Sequence, residues 1–168
     1  DGSARPAPGA GRSPAPPPER RRRPAMPAQV EFHTGVADPV GFACRLLRKA
    51  WAARARVLVT APADTLAALD ASLWTFEAQA FVPHLRIAGA DAASCARTPI
   101  WLAESIPAGE HPRVLVNLGA APPPRADDFD RVIEVVGADE AARADGRARW
   151  RHYERWGAPP LHHPARAG

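Results

Sequence analysis

The last predicted helix carries arginines at every fourth position, an arrangement suited to binding an anion. These are Arg143, Arg147, Arg151 and Arg155. Residues four apart lie on one face of an α-helix, so the guanidinium groups would form a stripe with Trp150 beside it. Guanidinium groups bind carboxylate or phosphate through paired hydrogen bonds, and an adjacent indole offers an apolar surface. The alternative interpretation is a solvated outer helix face with Trp150 packed inward.

Large aromatic side chains follow the end of an earlier predicted helix and could form a surface for a protein partner. That helix ends in Leu73 and Trp74, and a short segment leads to Phe81, Pro83 and His84. Aromatic residues are enriched at protein–protein interfaces. The same residues could instead cover the sheet edge as ordinary core, and His84 could be either a catalytic or a structural, hydrogen-bonding histidine.

The usual signatures of nucleotide-binding and catalytic α/β domains are missing from the sequence. The connection after the first predicted strand, residues 33–38, has one glycine instead of a glycine-rich fingerprint, and no lysine follows a phosphate-binding loop. Cys44 and Cys95 are expected to be reduced thiols. The adjacent His162 and His163 have no cysteine or carboxylate nearby at metal-ligand spacing. We therefore predict no catalytic residue, no metal site and no cofactor, which favours a protein that is not an enzyme.

Short apolar runs alternate with helical patterns in the elements that must position these residues. Predicted strands cover residues 29–32, 56–60, 100–102, 113–117 and 131–136, and predicted helices begin at Asp38, at Pro62–Asp64 and near Ala138. Residues 75–91 show little regular pattern, and Cys95 is expected in a loop. Residues 57–59 and 114–116 are apolar without alternation, as expected when both faces of a sheet are covered. Strand–helix–strand order predicts an α/β sandwich whose mostly parallel sheet has about five strands.

Composition and charge set residues 1–25 apart from the rest of the 168-residue chain. They hold seven of the 20 prolines, six arginines, two acidic residues and no large apolar side chain. We expect a disordered Pro/Arg-rich leader, with Met26 as the natural start of the protein. A basic arm for nucleic acid or a protein partner is the functional alternative.

Residues 26–168 are electrically balanced, with 16 basic and 16 acidic residues left from totals of 22 and 18. Bulk charge therefore does not favour a protein that coats nucleic acid. No apolar run approaches the roughly 18 residues of a membrane span. The arginines near the start are not followed by the apolar segment of a secretory signal, so we expect a cytoplasmic location.

The motifs of this chain resemble those of the chi subunit of bacterial DNA polymerase III. The run Leu69-Asp-Ala-Ser-Leu-Trp74 followed by Phe81-Val-Pro-His84 is similar to the signature of that family, and an Arg-Val-Leu strand precedes it at residues 56–58. The closing helix, Arg147-Ala-Arg-Trp150-Arg-His-Tyr153, resembles the Arg-x-Arg-aromatic-x-x-Tyr helix of the family. The resemblance covers about residues 30–157 and leaves the leader outside.

This resemblance implies a single Rossmann-like domain, a three-layer sandwich over residues 26–168, with no active site of its own. Chi subunits pair with the psi subunit, which joins them to the clamp loader of the replicative polymerase. They also bind the acidic C-terminal tail of single-stranded DNA-binding protein. The resemblance therefore implies that this chain associates with nucleic acid only indirectly, through its protein partners. The residues implied in tail binding are Val136, Arg143, Arg147, Trp150 and Arg151. The residues that we assign to psi, or to a repair helicase, are Trp74, Phe81 and Pro83.

One residue of the tail site departs from the family pattern, because Trp150 stands where the family usually has tyrosine. The larger ring keeps the apolar surface and loses the hydroxyl group.

Two other functions are compatible with the residues. An α/β enzyme acting on nucleotides or phosphates could use the arginine helix as an anion clamp, and it would need a polar cleft with shifted ionisable groups at the carboxyl ends of the strands. A direct nucleic-acid binder could combine the basic leader with the same helix.

Overall fold

Within the described residues, seven strands form one sheet in which every neighbouring pair is parallel. The computed structural model describes residues 29–75, 77–79, 81–157 and 159–166. The strands are β1 (Gln29–Val36), β2 (Val57–Thr60), β3 (His84–Arg86), β4 (Ile100–Ala103), β5 (Val114–Asn117), β6 (Arg131–Gly137) and β7 (Leu161–Pro164). Their order across the sheet is β3-β4-β2-β5-β6-β1-β7. The predicted leader and Met26 lie outside the described residues.

Helices cover both faces of this sheet. They are α1 (Pro39–Ala52), α2 (Ala63–Thr75), α3 (Ala92–Arg97) and α4 (Glu140–Glu154), with a 3₁₀ turn at Ala126–Asp128. Helices α1 and α2 pack together over one face, and α4 packs on β6 and β1 on the other. The predicted α/β class with three layers is therefore confirmed. No helix in the described part of the chain has the length and apolar character needed to cross a lipid bilayer.

The two covered faces explain the continuous apolar sequence of β2. Val57 and Val59 belong to the core beneath α1 and α2, whereas Leu58 belongs to the core beneath α4. All three side chains are at most 2% exposed. A strand buried on both sides has no polar face, which is why its residues do not alternate.

Local chemistry determines where the helices begin and end. The Asp38 carboxylate caps α1 by accepting a hydrogen bond of 2.9 Å from the backbone N–H of Gly41, which fits the predicted start of this helix at Asp38. Asp139 caps α4 in the same way, also at 2.9 Å, so this helix begins two residues after the predicted Ala138. Gly157, with φ of +89°, follows the last turn, where the left-handed conformation favours glycine.

The sheet has two strands more than the five or so predicted, because two edge strands lack a sequence signal. Residues 75–91 contain β3, which has only three residues and pairs with β4 alone. At the opposite edge, β7 reads Leu-His-His-Pro, is exposed throughout and pairs with β1. Neither strand shows the apolar pattern on which the prediction depended. Cys95 was also misplaced, since it lies in α3, whose first turn is capped by Asp91.

Candidate functional site

A hollow of about 610 Å³ lies between α4 and the strands β1 and β7. The side chains predicted to bind an acidic tail all contribute to its lining: Val136, Arg143, Arg147, Trp150 and Arg151. Phe32 and Thr34 from β1 and His162 and Pro164 from β7 form the opposite wall. The structure thus brings together five residues that the sequence singled out, and it adds a wall from two strands.

The arginines of the hollow are exposed and only weakly held by other side chains. Arg147 Nη2 donates a hydrogen bond of 3.0 Å to Glu140 Oε1, in a pair whose side chains are 59% and 77% exposed. Such a surface pair contributes little to stability, so Arg147 can exchange Glu140 for another carboxylate. Arg155, the fourth member of the sequence stripe, is exposed but does not line the hollow.

Trp150 both packs inward and borders the arginine stripe, the two alternatives that the sequence leaves open. Its ring contacts Phe32 edge-on at 5.1 Å between centroids and His162 at 5.8 Å, yet it remains part of the wall of the hollow. The indole Nε1 donates a hydrogen bond of 2.8 Å to Glu154. The ring is therefore fixed by packing while one surface stays accessible to an apolar group.

The floor of the hollow depends on a close approach between Gly146 and Val136. A Cβ atom built on Gly146 would lie 2.7 Å from Val136 Cγ1, well inside van der Waals contact. Both residues are buried. Glycine in the middle of α4 therefore lets the helix lie against β6, and the base of the hollow at this point is apolar.

We expect Gly146→Ala to lower the free energy of unfolding by up to about 2 kcal/mol. Overpacking a core typically costs about 1–3 kcal/mol, and the roughly 1 kcal/mol that alanine gains over glycine in a helix offsets part of that cost. Urea denaturation measures the difference. The double variant Gly146→Ala/Val136→Ala should be less destabilised than the sum of the two single variants, since the clash is then removed. A Gly146→Ala protein more stable than the wild type would contradict this account.

The opposite side of α4 carries a buried ion pair. Glu134, fully buried on β6, accepts hydrogen bonds from Arg149 Nε at 2.8 Å, from the Tyr153 hydroxyl at 2.8 Å and from Asn117 Nδ2 at 3.0 Å. Arg149 also donates to the backbone carbonyl of Ala120 at 3.1 Å. These bonds tie α4 to β5 and β6 and so hold the arginine-bearing face in place.

This network is not among the sites predicted from the sequence. Its signal was Glu134, a charged residue inside the otherwise apolar run Val132-Ile-Glu-Val-Val136. A charge within a strand that is buried on both faces requires a partner.

Two groups of this network, Glu134 and Tyr153, have pKa values that burial in the core shifts. Burial raises the pKa of the Glu134 carboxyl, an effect that the charge of Arg149 opposes, and burial together with Glu134 raises the pKa of the Tyr153 hydroxyl. A separate hollow of about 270 Å³ lies at the carboxyl ends of the strands and is lined by Thr60, Glu104 and Asn117. Glu134 does not line it.

The predicted partner surface lies at the other end of the sheet, beside β3. Trp74 and Phe81 are 61% and 52% exposed, and their rings lie 5.0 Å apart. Pro83, the third predicted residue, is half-buried. The aromatic pair is thus a solvent-facing patch and not part of the core.

His84 is buried and its ring packs against Trp74 of the aromatic pair. Its Nδ1 lies 2.7 Å from the Val82 carbonyl oxygen, and its ring contacts Trp74 at 5.2 Å. Its Nε2 lies 3.0 Å from an Asp70 carboxylate oxygen, although the approach is not aligned for a hydrogen bond. These contacts favour the structural interpretation of His84 over the catalytic one.

The adjacent histidines of β7 point to opposite faces of the sheet. His162 Nε2 lies 2.7 Å from Thr34 Oγ1 on the side of the hollow. His163 stacks on His33, with 4.9 Å between ring centroids, on the side of α1. Glu31 lies next to His33, so this second face gathers three potential metal ligands that are distant in the sequence.

A parallel three-layer sandwich with a basic hollow at one end and an exposed aromatic pair at the other defines a Rossmann-like α/β domain with two candidate binding surfaces. Residues 26–160 match the family model described as DNA polymerase III chi subunit, HolC. The chain is also 36% identical to DNA polymerase III subunit chi of Pseudomonas aeruginosa over 140 residues, which cover 80% of this chain and 95% of the relative. The chain therefore belongs to the DNA polymerase III chi subunit family, and the resemblance stated from its motifs is confirmed.

Proposed function

We propose that this chain is a non-catalytic accessory subunit of the DNA polymerase III holoenzyme, acting in DNA replication in the bacterial cytoplasm. Its α4 hollow binds the acidic C-terminal tail of single-stranded DNA-binding protein. Its aromatic patch binds the psi subunit, which links it to the clamp loader. The observation that carries the first assignment is the convergence of three arginines, an indole and an apolar floor on one hollow.

The chemistry of the hollow favours a peptide tail over a simple anion. Arg143, Arg147 and Arg151 offer charge and paired hydrogen bonds to aspartates and a terminal carboxylate. Val136 and Phe32 offer an apolar base, which phosphate alone would leave unfilled. A ligand that carries several carboxylates and ends in a large apolar side chain matches both parts.

The proposal is tested by titrating a short acidic peptide that ends in phenylalanine with a free carboxylate. We expect micromolar affinity that falls with salt, and a loss of about ten-fold, or about 1.4 kcal/mol, in Arg147→Ala. Arg155→Ala is the matched control, because Arg155 lies on the same helix and outside the hollow. Equal affinities of both variants for the peptide would reject the assignment.

Two further comparisons separate the parts of the site. A peptide with an amidated C-terminus tests the contribution of the terminal carboxylate, and Trp150→Ala removes apolar surface without changing charge. Both changes should weaken binding. If the amidated peptide binds as tightly as the free acid, the hollow recognises only the acidic residues of the tail.

The aromatic patch is proposed as the psi surface for a separate reason. Trp74 and Phe81 present an exposed pair of apolar rings, tilted by 31° to each other, beside the edge strand β3, and aromatic anchors dominate the energetics of many interfaces. Pro83 borders the pair along the chain. A repair helicase that used the same patch would compete with psi.

A further inference from the structure

A histidine of β7 lies across from a histidine of β1, next to a buried carboxylate. His33 and His163 are register partners in the parallel pair β1–β7, and their rings stack at an interplanar angle of 20°. Glu31, two residues before His33 on the same face of β1, is 4% exposed. One ligand atom of each residue lies within 4.8 Å of the others.

We propose that Glu31, His33 and His163 form a Zn²⁺ site that joins β7 to the sheet, on the face opposite the α4 hollow. Two imidazole nitrogens and one carboxylate oxygen are a donor set that zinc accepts, with a fourth position left for water. Mg²⁺ and Ca²⁺ prefer oxygen ligands throughout and should not compete.

The separations suit a tetrahedral ion after a small movement of one side chain. Zinc bonds of about 2.1 Å place two ligand atoms about 3.4 Å apart. His33 Nε2 and Glu31 Oε2 already lie 3.5 Å apart. His163 is exposed on an edge strand, so its ring can close the remaining distance of up to about 1.4 Å without disturbing the core.

Arg131 orients the carboxylate ligand and limits its affinity for a cation. Its Nε and Nη2 donate to the two oxygens of Glu31 at 2.9 and 3.0 Å. A carboxylate has further lone pairs, so one oxygen can accept from Arg131 and still bind a metal, as outer-shell partners of zinc ligands commonly do. The positive charge of Arg131 opposes the ion, and we therefore expect micromolar rather than tighter binding.

Calorimetric titration of the full chain without an affinity tag, using ZnCl₂ at pH 7.5, tests the site. We expect one ion per chain, and at least about ten-fold weaker binding in His33→Ala and in His163→Gln. His162→Gln is the matched control, because this neighbour on β7 points to the other face. Unchanged affinity in His163→Gln, or no binding by the wild type at 100 μM zinc, would overturn the proposal.

A structural readout distinguishes this site from zinc bound elsewhere, for example by Cys44 or Cys95. Zinc should slow amide hydrogen exchange in β7 and raise the unfolding temperature of the wild type and of His162→Gln, but not of His163→Gln. Protection elsewhere with β7 unaffected would contradict the assignment. Because His163 is exposed, its replacement should leave the apo protein folded.

Discussion

Replacing Arg149 with alanine is expected to lower the free energy of unfolding by about 3–5 kcal/mol. The substitution leaves the Glu134 carboxylate in the core without the guanidinium that compensates its charge, since both side chains are at most 3% exposed. It also removes the hydrogen bonds that Arg149 donates to the backbone carbonyls of Ala120 and Val135. A loss of this size is a large part of the 5–15 kcal/mol that stabilises a typical domain.

The measurement is urea denaturation of Arg149→Ala beside Arg147→Ala, the matched control on the same helix. Because the Arg147–Glu140 pair is exposed, the control should lose less than about 1 kcal/mol. The double variant Arg149→Met/Glu134→Gln removes both charges and should recover part of the loss. Equal stability of the two arginine variants would show that Glu134 is neutral or hydrated in the folded protein.

The loss in Arg149→Ala should also depend on pH. Burial raises the pKa of Glu134, and the substitution removes the charge that opposes this effect. A carboxyl whose pKa is higher in the folded than in the unfolded state destabilises the fold where it must ionise. The deficit relative to the wild type should therefore be smallest near about pH 5 and grow toward about pH 8. A deficit that shrinks with rising pH would contradict an ionised Glu134.

Replacing Trp74 with alanine is expected to weaken binding of the psi subunit by at least about 30-fold, or about 2 kcal/mol. The indole of Trp74 is 61% exposed and its ring contacts that of Phe81 at 5.0 Å between centroids, so the pair offers a large apolar surface to a partner. Phe81→Ala should have an effect in the same direction. Because so much of the Trp74 side chain is already in water, the stability of the free protein should change little.

Trp51 provides the control for this experiment. It is a second surface tryptophan, 40% exposed on α1, outside the proposed patch. Trp51→Ala should retain its affinity for psi in a binding titration, whereas the Trp74 and Phe81 variants lose theirs. If all three bind psi equally, its surface lies elsewhere. Full tail-peptide affinity in the Trp74 variant would show that the two surfaces act separately.

Much of this fold is predictable from local sequence because its central strands and helices carry strong signals. The runs at β2 and β5 are apolar on both faces, and Asp38 and Pro39 mark the start of α1. The arginine spacing on α4 also predicts which side chains share the hollow, since helical periodicity determines it.

The rest depends on long-range contacts that local patterns do not encode. Strands β3 and β7 exist because an edge of the sheet offers backbone partners, and neither has an apolar run. The four-residue spacing of the arginines does not include Arg149, although Arg149 is the buried arginine of α4. Likewise, His163 meets His33 only once β7 is paired with β1.

The pairing of β7 has a consequence for comparisons among relatives. The match to the family model ends at residue 160, and β7 begins at Leu161, yet His162 and Pro164 form one side of the hollow. A relative that kept α4 but lacked this strand would present the same arginines on an open ledge instead of in a two-sided cleft. If the hollow binds the proposed acidic tail, the tail should dissociate faster from such a relative while making the same ionic contacts. The dissociation rate would then measure the contribution of β7, and the salt dependence of binding would measure that of α4.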